Sequence, residues 1–393
     1  MTNNLAGLIH SQCDFAGTIE ITRKILSIPS PQTELFEREP QVLEFIQNAV
    51  RPYLEGIDIP AVLDDRGNLV ATLGGGQRGI ALVGYAMTPQ VGSMKDGYTG
   101  HIVPGEPYGY AGQCLRGRGC CEQKGALGAM LAALKIIAPQ KDKLKGTLTF
   151  ICSTAGETGR HDSLDYILKT GGIKAGLAVV GLGTNNEICL GNKGRVDVMV
   201  DVHGKSCHSS VPDQGVNAIE GAAHVLQILK GLTPSTVHSY LGKSTLAPMH
   251  IESFPRATHT IQDKCTLSYD RRLVPGESPE EALEEIRGAL TVVHGYRIDV
   301  RQGPFMYPSE IDRDSKAAIL MAGAVRAITG KEPVFTYFNS ALDAGLLNRT
   351  GIQCLMLGPG NVKYAHTDEE VVPVQQVIEA AMIYAYAILD ILG

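Results

Sequence analysis

Two glutamates and one histidine stand just beyond apolar runs in this sequence. Glu122 follows the glycine-rich GRGCC and opens an Ala-rich stretch, Glu157 ends LTFICSTAGE, and His366 follows the turn LGPGNVKYA. Carboxylate oxygens and an imidazole nitrogen together suit a divalent ion such as zinc or manganese. Their separation along the chain gives no support by itself, and strand-end acids are also commonly solvated or salt-bridged. Cys120 and Cys121 precede Glu122, where a helix N-terminus would lower a thiol pKa and make a nucleophile; the alternative is a pair of small buried side chains. His161, just past Glu157, could supply a base or a spare ligand, or simply be a solvated loop histidine.

Strand ends and helix starts are needed to hold such groups. The runs NLVATL and GIALVGYA read as strands joined by a hairpin turn at GGGQRG, GALGAMLAALKIIAP as a helix, TLTFICSTA as a strand, SLDYILKTGG as a helix and GLAVVGL as a strand. Residues 18–54 have helical spacing, broken by prolines into two helices around a turn. Alternating strands and helices predict an open, mixed but largely parallel α/β sheet, with ligands beyond the carboxyl ends of its strands. From residue 195 the order becomes β-α-β-β-α-β, a self-contained α+β domain. After residue 303 the helix DSKAAILMAGAVRAITG and the strand GIQCLMLG return to the first pattern. The expected organisation is therefore a first domain at 1–194 and 304–393, interrupted by an inserted domain at 195–303. A length of 393 residues is more than one core usually organises.

The net charge of -6 disfavours a nucleic-acid partner, which needs a basic surface to release counterions. The opening MTNNLAGLIHSQCDF lacks the charged and apolar regions of a secretory signal, and no apolar segment approaches the roughly 20 residues of a membrane span. A cytoplasmic protein without a membrane partner is expected. Nine cysteines scattered over a long chain suit reduced thiols.

Four segments, in order, resemble motifs of one enzyme family. GRGCCEQKGALGAML is similar to the Gly-Arg-Gly-x-x-Asp-x-Lys-Gly segment of the dizinc amidohydrolases and peptidases that include aminoacylase, acetylornithine deacetylase, succinyl-diaminopimelate desuccinylase and glutamate carboxypeptidase. GKSCHSSVPDQGVNAI, CTLSYDRRLVPGE and GPGNVKYAHTDEEV resemble its Gly-Lys-x-x-His, Asp-x-Arg and Gly-Pro-Gly…Ala-His segments. The resemblance implies a lid and dimerisation domain in the inserted position, and a homodimer formed through it. It makes Glu122, Glu157 and His366 the ligands of one metal. The second metal's positions are lost: Tyr85 and Met87 stand where the family has His and Asp, and Leu182 where it has an acid. The family's general base is the Glu before the ligand Glu, and Gly156 stands there.

Further roles follow from the same resemblance. His208 corresponds to the histidine that reaches from a partner chain to the oxyanion. Arg272 is expected to grip a substrate carboxylate, with Arg271 on the opposite strand face. Gly358 and Gly360 would offer backbone N–H groups to a carboxylate. Asn217 belongs to the lid motif, and His259 takes the place of a substrate-contacting Asn. Tyr85 would donate a proton or fill vacated volume. The expected activity is attack on the amide C–N bond of a small carboxylate-bearing substrate such as an N-acyl amino acid, at a single-metal or otherwise non-standard site. Alternatives are acyl transfer, amide formation, elimination or isomerisation on the same fold, a metal-free thiol hydrolase, and an inactive ligand-binding homologue.

Overall fold

In the computed structural model, which describes residues 2–33, 38–232, 234 and 236–393, the chain forms two units. The first comprises 1–191, 310–336 and 346–393, and the second 192–309 and 337–345. The inserted unit thus also takes in residues 337–345, which the sequence reading leaves in the first domain.

The first unit is built on a mixed sheet. Seven of its nine strands run in the order Ala61–Leu63, Leu69–Gly74, Thr147–Ser153, Gly79–Tyr85, Leu177–Gly181, Gln353–Leu357 and Ile188–Asn192. The four from Thr147–Ser153 to Gln353–Leu357 are mutually parallel, and antiparallel strands flank them. Thr147–Ser153 and Gly79–Tyr85 are buried at every position, as expected of parallel strands covered on both faces. The expected hairpin at GGGQRG is not formed, because Thr147–Ser153 lies between the two strands that it joins. The glycines serve instead to cross the entry of that strand. A Cβ on Gly74, at φ +68°, would lie 2.3 Å from Gly146 O.

Helices Phe15–Leu26, Gly125–Ile137, Lys316–Thr329 and Val374–Leu392 pack together in this unit. Asp14 caps the first, accepting from Gly17 N at 2.8 Å. The helix expected after the prolines appears as Pro40–Phe45 and Arg51–Gly56 joined by a π-helical turn, and residues 34–37 lie outside the described residues. Val374–Leu392 corrects one expectation, since it is long and apolar enough to cross a membrane by length and composition. Its apolar window is 72% buried inside the protein, which is what a core helix requires.

The inserted unit has the expected βαββαβ order. Its antiparallel sheet runs Thr245–Phe254, Lys264–Leu273, Gly194–His203, Arg297–Met306. Alternate valines Val196, Val198, Val200 and Val202 turn inward to form a core with Leu267, Leu283 and Ile286. A capping box at Ser278 and Glu281 starts the helix Pro279–Leu290.

Candidate metal centre

Glu122 sits in a π-helical turn, Cys120–Lys124, that leads into the helix Gly125–Ile137. Such turns inside a helix often mark functional sites. The chain enters it through Gly119 at φ +77°, where a Cβ would lie 2.4 Å from Thr88 Cγ2. Glu157 follows the fully buried strand Thr147–Ser153. His366 lies beyond Gln353–Leu357 in left-handed backbone, φ 61°, unusual for a residue other than glycine. One potential ligand atom from each of the three lies within 4.8 Å of the others. His366 Nε2 is 3.2 Å from Glu122 Oε2 and 3.5 Å from Glu157 Oε2.

Both carboxylates are largely buried, while the imidazole is half exposed. Burial, reinforced by the charge of Glu122, pushes the Glu157 carboxyl up to about 8. The hydrogen bond to Glu122 holds the His366 imidazolium up to about 9 against its partial burial. Gln123 Nε2 donates to Glu157 Oε1 and fixes one end of that carboxylate. Glu122 Oε2 is buried and, beyond its ion-pair contact with His366, receives no hydrogen bond among the described residues. Two carboxylates forced together, one carrying an orphaned oxygen, with an imidazole opposite, fit a divalent cation by charge and by donor type.

A buried ion pair ties two of these segments together, and the sequence reading passes over it. Glu370, fully buried, accepts from Arg118 Nη1 at 3.1 Å, Gly119 N at 3.0 Å and Cys121 N at 3.3 Å. Arg118 also donates to Thr367 O at 3.0 Å and Val91 O at 2.8 Å. The turn before Glu122 is thereby clamped to the loop after His366. Burial pushes Glu370 up to about 7. Lys124, equally buried, donates to Ile28 O at 2.5 Å and sits 4.4 Å over the Phe45 ring, and its burial depresses it to about 7. Both Arg118 and Glu370 lie inside motifs quoted above, and their positions there were the available signal.

The remaining expected site residues are placed differently. Tyr85, Met87 and Leu182 are buried. A Cβ on Gly156 would come within 2.9 Å of Met87 O, so no side chain enters there without movement. Of the two readings of Cys120 and Cys121, the structure favours the buried pair. Both are buried, and burial together with the Glu370 charge holds their thiols well above the ordinary value, outweighing the helix start. His161 is buried at the start of the helix Asp162–Lys169 rather than solvated, and is not among the clustered ligands.

In the inserted unit the rings of His208 and His259 stack at 6.4 Å, bringing together two residues read separately. His208 Nδ1 lies 2.8 Å from Ser210 Oγ. The guanidinium of Arg272, expected to receive a substrate, already makes a forked pair with Asp270 at 2.8 and 3.1 Å. Arg271 does face the other way, buried against Glu277 and Glu285. Asn217 caps the helix Ala218–Gly231 by accepting from Ile219 N at 3.1 Å, which accounts for it structurally. The amides of Gly358 and Gly360 are likewise occupied, donating to Thr184 Oγ1 and Gln376 Oε1.

Residues 190–295 match the peptidase dimerisation domain of the M20 family. The chain is 29% identical over 346 residues to the uncharacterised protein YgeY of Escherichia coli K12, covering 82% of this chain and 83% of that one. It is 28% identical to the acetylornithine deacetylase of Myxococcus xanthus over 84% and 87% of the two chains. Among solved structures it is similar to an M20 family metallo-carboxypeptidase from Sulfolobus solfataricus, with TM-score 0.74, 17% identity and coverage of 95% and 98%. Relatives matched over most of both chains, and a peptidase dimerisation domain matched at residues 190–295, make this chain similar to the M20 peptidases.

Proposed function

We propose that this protein is an enzyme acting on the amide C–N bond of a small, carboxylate-bearing substrate such as an N-acyl amino acid, at one divalent metal held by Glu122, Glu157 and His366. The convergence of these three side chains around an orphaned Glu122 oxygen carries the reading. Relatives that include acetylornithine deacetylase and succinyl-diaminopimelate desuccinylase support the substrate class. A bound zinc or manganese ion would supply Lewis-acid polarisation of the scissile carbonyl. Gln123 orients Glu157, and the Glu370–Arg118 clamp orients the turn that bears Glu122. The dimerisation-domain match supports a homodimer, in which His208 of a neighbouring chain would steady the oxyanion.

Gly156 favours a second reading on the same site. Without a carboxylate there to accept a proton, about 10²–10⁴-fold of general-base catalysis is missing. Acyl transfer to an amine at the same carbonyl deprotonates no water: the acceptor attacks as the free amine and its proton passes to the departing nitrogen, which leaves as amine. Zinc- or manganese-loaded protein is to be incubated with a panel of N-acyl amino acids, with and without amine acceptors, and the free amine and acyl products quantified. Chelator-sensitive release of amine supports hydrolysis, and acyl product formed only with an acceptor supports transfer. Turnover indifferent to chelator, or none with full metal occupancy, refutes the proposal.

A further inference from the structure

Glu157 rides on residues 154–161, a segment without regular structure between the strand Thr147–Ser153 and the helix Asp162–Lys169. A metal site tolerates departures of only about 0.2 Å in its ligand distances, so the root of that segment has to be fixed. Gln123 acts on the Glu157 carboxylate itself, at the far end of the side chain. The backbone beneath it is held by a residue that touches neither. Asn68 lies 86 positions before Thr154, and Asn68, Thr154 and Ser163 are all fully buried. In the antiparallel ladder between Leu69–Gly74 and Thr147–Ser153, the rung nearest this segment pairs Leu69 with Cys152. One residue further on, the Asn68 side chain stands in for the next rung. Its Oδ1 accepts from Thr154 N at 2.9 Å and from Thr154 Oγ1 at 3.0 Å.

The amide of Asn68 is itself oriented. Asp64 accepts from Asn68 Nδ2 at 2.8 Å, from Asn68 N at 2.9 Å and from Arg66 N at 2.8 Å. Those three donors turn the amide nitrogen toward Asp64 and therefore its oxygen toward Thr154. On the other side, Thr154 Oγ1 lies 2.8 Å from Ser163 Oγ in the helix Asp162–Lys169. The threonine hydroxyl has one proton and gives it to Asn68, so Ser163 is the donor there. The strand exit and the helix start that bracket Glu157 are thus tied at one buried point. Between that point and Glu157 the backbone has little latitude. Ala155 N donates to Ser153 Oγ at 3.1 Å, and a Cβ on Gly156 would lie 2.9 Å from Met87 O. Asp64, Asn68, Thr154 and Ser163 contribute no ligand atom to the cluster, so their effect on an ion there passes through the placement of Glu157. Removing Asn68 strands the buried Thr154 N–H, which costs about 1–3 kcal/mol unless the segment shifts to find another partner.

We propose that Asn68 is a positioning residue for the metal centre, setting through Thr154 the place from which the Glu157 carboxylate reaches the ion; the inference rests on the metal reading given above. The test uses the full chain loaded with cobalt(II), whose visible absorption reports ligand geometry, together with zinc affinity from competition against a chromophoric chelator. Asn68→Ala should weaken zinc binding by about 10–100-fold and change the cobalt spectrum, with Thr154→Val at the lower end of that range. Thr154→Ser keeps the hydroxyl and should return both readouts to those of the unaltered chain. Leu283→Ala, in the core of the inserted unit, destabilises without touching the network and should leave both unchanged. Should Asn68→Ala fail to fold, Thr154→Val, which matches threonine in shape, decides. An unaltered chain that takes up neither cobalt nor zinc would overturn the metal reading and this inference with it. Uptake by the unaltered chain, with affinity and spectrum the same in Thr154→Val or changed equally in Leu283→Ala, would overturn the positioning role alone.

Discussion

The cluster of Glu122, Glu157 and His366 and the positions of Tyr85, Met87 and Leu182, where the resemblance leads one to expect second-metal ligands, have opposite characters. The first is polar and strained: two carboxylates share burial, one oxygen is unsatisfied, and a half-exposed imidazole balances the charge. The second is a packed wall. Met87 is 0% exposed, Leu182 1% and Tyr85 3%, and Gly156 lies against the Met87 backbone. Buried Met87, Leu182 and Tyr85 pack as an apolar wall, which stabilises the fold by burial and offers a second cation no carboxylate or imidazole.

The sharpest test of this contrast is removal of a ligand on the polar side. Glu157→Ala and His366→Ala should each reduce bound zinc from about one per chain to none, read by elemental analysis after dialysis. Next in size is a carboxylate placed on the packed side. Met87→Asp would bury a charge without a partner, and should lower the free energy of unfolding by about 3–5 kcal/mol, seen as a fall in the urea midpoint with little change in slope. A stable Met87→Asp protein that gains a second zinc would break the comparison.

A smaller effect separates two buried arginines. Arg118 binds Glu370 beside the metal centre, whereas Arg271 binds Glu277 and Glu285 inside the inserted unit at 2.9 and 3.1 Å. Both pairs should matter to stability, since removing one partner strands a buried charge. Only Glu370→Ala should also weaken zinc binding, by about 10–100-fold, because it releases the turn that carries Glu122. Competition against a chromophoric chelator would measure this. Equal weakening in Glu277→Ala would mean that zinc affinity reports general stability rather than the clamp.

Much of the fold was legible because its elements follow simple periodicities. The buried parallel strands read as continuous apolar runs, and the inserted unit as a strand of alternating valines followed by two helices. Strand order was not legible where glycines do more than turn the chain. GGGQRG looks like a hairpin because nothing local records that Gly146 must pass beneath Gly74. The metal cluster was found by residue type and motif, whereas the fate of individual groups depends on partners distant in sequence. Cys120 and Cys121 read as either an activated or a buried pair because only the helix start is local, while the Glu370 that raises their pKa lies some 250 residues away. Arg272, Asn217 and the two glycine amides looked available for the converse reason: Asp270, Ile219 N, Thr184 and Gln376 claim them only once the chain folds.

The smallest expected effect concerns protons, and its sign follows from the same crowding. In the metal-free chain His366 is raised to about 9 from an ordinary value of 6.5, so its contribution to stability is full below pH 6.5 and disappears as pH rises through about 9. Glu157 is raised to about 8 from 4.5, so the folded state favours its protonated form, and that contribution also fades from about pH 4.5 to 8. Both shifts therefore act in one direction. The metal-free protein should lose stability from about pH 4.5 to 9, the part between pH 7 and 9 being on the order of 1 kcal/mol once solvent screening at the half-exposed imidazole is allowed for. Urea titrations at successive pH values would show the decline, and saturating zinc should flatten it, because an ion in the cluster replaces the shared protons. A decline of equal slope with zinc bound would place its origin elsewhere and remove the proton-sharing account of why these three side chains sit together.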